Sequence, residues 1–283
     1  MIDQTVREIE EMDTQSASIV AVKAANALLD LTEREAHSVE EFQRTLERNS
    51  GALQRANRSH APLYTTQQRI VESVAEADPT TVAEAKAVLE SVVEDVVTEL
   101  ESSKAAAADR GAELIEDGDV LLTHGSSSTV LATLERALEN GTQFDLYVTE
   151  TRPRYLGRRT ARQLSDRDGV DVTLVVDGAA GHALRECDRV LVGMNCLIDD
   201  RLYNRIGTYP IVATAADQDV SVTVVASSSK FIGSGFTFQN TYRSPSEVTL
   251  EPPEGFDVLN PGYDEVPTRL LDIVVTEDAI LEF

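Results

Sequence analysis

The sequence predicts an α/β protein, with an N-terminal helical domain followed by a doubly wound, mostly parallel, Rossmann-like sheet domain. Three observations predict this. Apolar residues recur at spacings of three and four through residues 2–100. From residue 112 onward, short runs rich in valine and leucine alternate with segments of helix length. With 283 residues, 42% of them hydrophobic, the chain can bury two proper cores without a disulfide or metal staple. The division predicted is 1–110 for the helical domain and 111–283 for the sheet domain.

The helices come first. Ile2, Val6, Ile9 and Met12 lie on one face. Ser38 with Glu41 makes a capping-box pattern ahead of Phe42 and Leu46, and Gly51 is expected to close that helix. Pro79 and Thr81, with Glu84, open a longer helix whose stripe runs through Val82, Ala85, Val88, Leu89, Val92, Val93, Val96 and Leu100. None of these residues carries chemistry by itself.

The predicted strands are Val120–Leu122, Leu146–Val148, Val172–Val176, Val190–Val192, Val222–Val225 and Ile273–Val275. Ligands of doubly wound sheets sit beyond the carboxyl ends of the strands, so the residues following each run matter most. Those ends are small and polar: Thr123-His124-Gly125-Ser126-Ser127-Ser128, Thr149-Glu150-Thr151-Arg152-Pro153, Asp177-Gly178, Gly193-Met194-Asn195-Cys196 and Ser227-Ser228-Ser229-Lys230. A Gly-Ser-Ser-Ser turn feeding a helix offers backbone N–H groups and hydroxyls to a phosphate, or simply caps the helix. Lys230 is the last of only four lysines, in a chain that otherwise uses 21 arginines. It is either an anion contact or a solvated helix-end lysine.

Several chemistries are excluded. There is no phosphate-binding G-x-x-x-x-G-K-[ST] loop, and Gly233-Ser234-Gly235 lacks the third glycine of a dinucleotide fingerprint. No nucleophile elbow is present. Cys187, Cys196 and four histidines have no metal-ligand spacing. No cofactor and no metal is therefore expected. No apolar run approaches the roughly 18 residues of a membrane span. The formal charge of −24 repels phosphate backbones, so neither nucleic acid nor membrane is expected as a partner. An acidic, lysine-poor surface stays hydrated in concentrated salt, so the protein reads as one of a salt-rich cytoplasm.

At the strand ends the chain resembles the family of the initiation factor 2B alpha, beta and delta subunits, which includes ribose-1,5-bisphosphate isomerase and methylthioribose-1-phosphate isomerase. The segments that carry the resemblance are LLTHGSSSTVL (121–131), YVTETRPRYLGRRTARQL (147–164), VVDGAAG (175–181), RVLVG (189–193), YNRIGTYPIVATAA (203–216), VVASSSKF (224–231), NPGYDEVP (260–267) and IVVTEDAI (273–280). The helical first hundred residues fit the family more loosely.

The resemblance implies a proton-transfer cysteine in the first turn and an aspartate in a Gly-Ala-Asp motif. Here those positions are Gly125 and Asn195, neither of which titrates near neutrality. It also implies a ligand shell of Arg58, Gly125, Ser127, Arg152, Asn195, Asn204, Arg205 and Lys230, with Arg205 in place of the usual lysine. The family's Arg-Gly-Ala appears as Gln15-Ser16-Ala17. Arg58, Arg205 and Lys230 are an unusual cationic set for so acidic a chain and argue for a retained phosphate site.

The expectation is therefore a non-catalytic, regulatory member with no catalytic residues and no isomerisation. It would bind a partner protein such as a translation initiation factor, a phosphorylated sugar or nucleotide, and its own copies as a homodimer or larger even oligomer. The alternative is a ribose-1,5-bisphosphate isomerase, with Cys196 as the residue that would stand in for the lost pair.

Overall fold

Capping side chains set the starts of two helices in the N-terminal region. Ser38 Oγ accepts from Glu41 N at 3.2 Å, and Glu41 Oε2 accepts in turn from His37 N at 2.8 Å. Thr81 Oγ1 and Glu84 close a similar box, with Thr80 N donating to Glu84 at 2.8 Å. The computed structural model describes residues 2–11, 17–233, 236–251 and 254–283. Met12, Gln15, Ser16 and Ser234-Gly235 lie outside the described residues.

The helices of this region are α1 (Ile2–Glu11), α2 (Ala17–Ala27), α3 (Val39–Ala56), α4 (Ala61–Glu76) and α5 (Val82–Ala112). Gly51 does not end α3, which runs on to Ala56. A glycine inside a helix costs about 1 kcal/mol, and the burial of Leu46 and Leu53 on either side of it outweighs that cost. Ile9, Val20, Leu28, Leu46, Leu53, Leu63, Ile70 and Leu89 form the core of this part.

The chain divides into two compact units, Met1–Ser102 with Ser234–Gln239, and Ser103–Gly233 with Asn240–Phe283. The second unit continues with β1 (Val120–His124), α6 (Ser128–Glu139), β2 (Phe144–Thr149), α7 (Leu156–Leu164), β3 (Val170–Val175), α8 (Ala180–Ala183), β4 (Arg189–Val192), β5 (Cys196–Ile198) and β6 (Arg201–Arg205). Then come α9 (Thr208–Asp217), β7 (Ser221–Val225), β8 (Phe231–Ile232), β9 (Tyr263–Pro267), β10 (Ile273–Val275) and β11 (Ile280–Glu282).

Seven strands form one sheet in the order β11-β10-β7-β4-β1-β2-β3. Every pair in it is parallel except β10 with β11. Strand residues alternate between two buried faces. Leu122, Val190, Val192, Val222, Val224 and Val274 join one core, and Leu121, Leu146, Val148, Leu191, Val225 and Val275 join the other. Strand order reverses between β1 and β4, where Leu121 pairs with Arg189. The carboxyl ends of those two strands thus flank the crevice in which a sheet of this kind holds a ligand. A second, four-stranded sheet, β8-β5-β6-β9, packs on the first core through Leu197, Leu202 and Val266. Its strands have two to five residues each. Among the described residues no helix is long and apolar enough to cross a membrane.

Candidate functional site

The turn after β1 is fixed from three sides. His124 is 4% exposed; its Nε2 lies 2.8 Å from the carbonyl of Ile206 and its Nδ1 lies 2.7 Å from Thr149 Oγ1. A carbonyl only accepts, so the ring proton is on Nε2 and Nδ1 accepts from the threonine. Burial holds the pKa of this imidazole below its ordinary value, against the pull of its bond to Ile206. Gly207, at φ +102°, makes room for the ring: a Cβ there would come within 2.7 Å of His124 Cε1.

Gly125 follows at φ +80°, a conformation that a side chain resists, and its carbonyl accepts from Thr160 Oγ1 at 2.8 Å. Ser127 Oγ accepts from Val130 N at 3.3 Å, so this hydroxyl caps α6. Ser127 also lies directly against Gly193: a Cβ on Gly193 would sit 2.8 Å from Ser127 Cβ. The turns after β1 and β4 are therefore in contact.

Asn195, beyond β4, is 6% exposed. Its backbone N donates to the carbonyl of Tyr203 at 2.9 Å, and its Nδ2 lies 3.8 Å from Cys196 Sγ. Cys196 is fully buried, and burial pushes its thiol up to about 12, against a smaller opposing pull from Lys230. It is a protonated thiol near neutrality.

The turn after β7 is held by one carboxylate. Glu277 accepts from Ser228 N and Ser228 Oγ, each at 2.8 Å, and from Ser227 Oγ at 3.2 Å. Lys230 is 5% exposed, so it is not a solvated helix-end lysine. Its Nζ donates to the carbonyl of Met194 at 2.8 Å, which brings it to the end of β4. Among the described residues that carbonyl is its one acceptor, and no carboxylate lies in ion-pair range. Desolvation lowers its pKa to about 8. A buried ammonium with two unfilled donors, in a chain with 49 acidic residues, calls for an anion.

The remaining expected residues lie on other turns. Asp177 accepts from the backbone N of Thr151 at 2.7 Å and of Arg152 at 2.6 Å, which fixes the loop after β2. Arg152 is exposed, stacks over Tyr155 and bonds its hydroxyl. Asn204 is buried on β6 and donates to Thr208 Oγ1 at 3.1 Å. Arg205 lies 4.9 Å over the ring of Tyr263. Asp264 accepts from Gly207 N at 2.8 Å and Tyr209 N at 2.9 Å, capping α9. Arg58 belongs to the helical unit, just ahead of α4, where its Nη1 lies 3.4 Å from Gln239 Oε1.

Sequence reasoning placed Asp177 at a strand end without giving it a role, and singled out neither Asp264 nor Glu277 within the NPGYDEVP and IVVTEDAI segments. Among the described residues, no cluster of three His, Cys, Asp or Glu side chains is arranged to hold a metal.

The ribose 1,5-bisphosphate isomerase of Haloterrigena turkmenica is 34% identical over 96% of this chain and 88% of its own length. That of Haloferax volcanii is 31% identical over 98% and 87%. The crystal structure of the Pyrococcus horikoshii translation initiation factor eIF-2B superposes with a TM-score of 0.84 at 26% identity, covering 99% of this chain and 96% of that one.

These similarities overturn the expectation of a non-catalytic regulator. Curated relatives that align along nearly the whole chain carry the name ribose 1,5-bisphosphate isomerase, and the isomerase alternative is the better supported reading. Gly125 and Asn195 do not exhaust the chemistry of the strand ends, since the titratable Lys230 reaches the end of β4 from the neighbouring turn. A sequence model of the Initiation factor 2 subunit family matches residues 13–282, nearly the whole chain, and with a fold that agrees, the chain belongs to that family.

Proposed function

We propose that this protein is a sugar-phosphate isomerase that acts on a phosphorylated ribose, the reading closest to ribose 1,5-bisphosphate isomerase. The observation that carries it is the 34% identity to the Haloterrigena turkmenica isomerase across 96% of the chain. Conversion of ribose 1,5-bisphosphate to the ketose breaks the bond between C1 and the ring oxygen, moves one hydrogen from C2 to C1 and another from the C2 hydroxyl to the freed ring oxygen as the C2 carbonyl forms, and leaves both phosphates in place. The step at carbon needs one group that accepts a proton and returns it to the neighbouring atom.

Gly125 has no such group, the Asn195 amide does not titrate, and Cys196 with its pKa near 12 is a weak proton acceptor at best. Lys230 suits the task better. With a pKa of about 8, roughly a tenth of the molecules carry a neutral amine at pH 7, close to the working range of a general base. In this reading Lys230 exchanges the C2 and C1 proton, while its place at the end of β4 keeps it beside the switch point.

The test is an assay of the purified chain in molar salt with ribose 1,5-bisphosphate, following the appearance of ribulose 1,5-bisphosphate. Conversion is expected, with loss of about 10²-fold or more in Lys230→Met. A wild-type protein that binds the sugar but gives no ketose above the enzyme-free blank would overturn the proposal.

Self-association belongs to the same reading. It is supported by apolar side chains left exposed on the edge strand and beyond it, Leu174 at 47% and Val176 at 60%, and by Leu250 and Leu259 at 96% and 78%. Light scattering in molar salt is expected to give an even-numbered oligomer; a monomer at micromolar concentration contradicts it.

A further inference from the structure

In a parallel sheet, strands that end side by side place the turns that follow them side by side as well. β7 and β10 are such a pair: Val225 is paired with Val275, and Ala226 N donates to the carbonyl of Val275 at 3.0 Å. Just beyond, Ser227 and Ser228 therefore meet Glu277. The connection after β10 is unlike the others, because β11 runs antiparallel and can be reached by a tight turn. Thr276 N donates to the carbonyl of Ala279 at 2.8 Å, and Thr276 Oγ1 accepts from Ala279 N at 3.0 Å. Arg110 Nη2, near the end of α5, donates to the backbone carbonyl of Glu277 at 3.0 Å. Glu277 is thus anchored on its own side of the contact.

The three bonds that its carboxylate receives from Ser227 and Ser228 exceed what capping requires. Ser227 Oγ already accepts from Ser229 N at 3.3 Å, the service that Ser127 performs for α6. The carboxylate adds what a local hydroxyl cannot: it ties the single 3-10 turn Ser228–Lys230 to the end of β10. Within that turn Lys230 N donates to the carbonyl of Ser227 at 3.1 Å, so the course of the turn decides where the lysine side chain starts. The side chain is a flexible four-carbon stem that ends on the Met194 carbonyl. An error of about 1 Å in the placing of a proton-transfer group can cost up to about 10²-fold in rate.

We propose that Glu277 is a positioning residue, which aims the Lys230 amine at the end of β4 by fixing the turn that carries it. The proposal rests on the reading of Lys230 as the proton-transfer group, and adds the residue that directs it. Glu277 acts through the turn and not through its charge, since among the described residues no carboxylate lies in ion-pair range of Lys230. The titratable group whose charge reaches Lys230 is Cys196 of β5, and near neutrality that thiol is protonated.

The experiment observes Lys230 without a substrate. The full chain in molar salt is treated with trace acetic anhydride from neutral to alkaline pH. Acetylation of Lys230 is read by mass spectrometry against Lys23, Lys86 and Lys104. On the same samples, kcat and KM are measured with ribose 1,5-bisphosphate. In wild type Lys230 is expected to react slowly, with a midpoint near 8. Glu277→Ala loosens the turn and admits water, so the midpoint is expected to rise towards the ordinary 10.5. Its limiting reactivity at alkaline pH is expected to rise about tenfold, and kcat to fall about tenfold with KM within about twofold. Glu277→Gln, which keeps an oxygen for Ser228 N, and Ser228→Ala are expected to lie between that variant and wild type. These two carry the test if Glu277→Ala does not fold.

An unmoved midpoint with unchanged reactivity in the folded variants overturns the proposal. So does a loss of kcat while the midpoint stays in place, which is what a merely structural bond would give. A moved midpoint in a protein whose wild type makes no ketose upholds the positioning of Lys230 and overturns the isomerase reading alone.

Discussion

At the carboxyl end of β1 the chain reads Gly-Ser-Ser-Ser, and at the carboxyl end of β7 it reads Ser-Ser-Ser-Lys. Both turns have the composition of a phosphate cradle, yet the structure employs them differently. After β1, Ser127 is consumed in capping α6 and in packing on Gly193, and Gly125 gives its carbonyl to Thr160. After β7, the hydroxyls and an amide are taken by Glu277, and the following lysine is carried into the interior against Met194. Gly125 and the hydroxyls of Ser127, Ser227 and Ser228 thus serve packing and capping within the protein, and the second turn alone ends on a buried cation.

The largest effect that can break this contrast is steric. Gly193→Ala sets a methyl group within van der Waals contact of Ser127 Oγ and Cβ, and the two touching turns must shift. A loss of about 3 kcal/mol or more is expected by denaturant unfolding, in line with other overpacked sites. Gly178→Ala, where nothing lies within 4 Å of the added atom, is expected to be neutral or slightly stabilising. Equal losses in the two variants would show that the β1 and β4 turns are not locked together.

A second effect, of comparable size and opposite sign, concerns Lys230. Its pKa falls from an ordinary 10.5 to about 8 on folding. Between those values the unfolded chain holds the proton more firmly, so stability rises with pH through that window and is lowest below it. The difference is about 3 kcal/mol. Lys230→Met is expected to be more stable than wild type at pH 7 by up to that amount, with the gap closing by pH 10.5. Two parallel stability profiles, or a mutant weaker at pH 7, would mean that the ammonium is better solvated than its burial implies.

The smallest effect is the cap. Ser127→Ala removes the bond to Val130 N and is expected to cost about 1 kcal/mol. It is expected to leave anion binding unchanged, whereas a phosphate cradle at β1 would lose affinity.

Much of this architecture was legible beforehand. All six valine- and leucine-rich runs became strands of the seven-stranded sheet; five of them are inner strands, whose near-continuous apolar sequence leaves a strong signal, and β3 is an edge strand with Leu174 exposed. The second sheet left almost none. β8 has two residues and β5 three, too few to show alternation, although Leu202 and Asn204 buried between half-buried Arg201, Tyr203 and Arg205 in β6 follow a period of two.

The site was less legible for a similar reason. Lys230 stood out by its rarity, but its burial depends on Met194, 36 residues away. The bond from Ser228 to Glu277 spans 49 residues. Contacts at such range are set by the sheet order, and no local pattern announces them.

His124 supplies a gauge of that switch point. Only the tautomer with hydrogen on Nε2 can satisfy the Ile206 carbonyl, and the ring is sealed by Gly207. That one hydrogen can exchange with solvent only when the end of β1 and the turn before α9 part company. Its exchange rate, read in a ring-labelled sample, therefore times the local opening of the crevice without any ligand, and reports how often the switch point admits solvent.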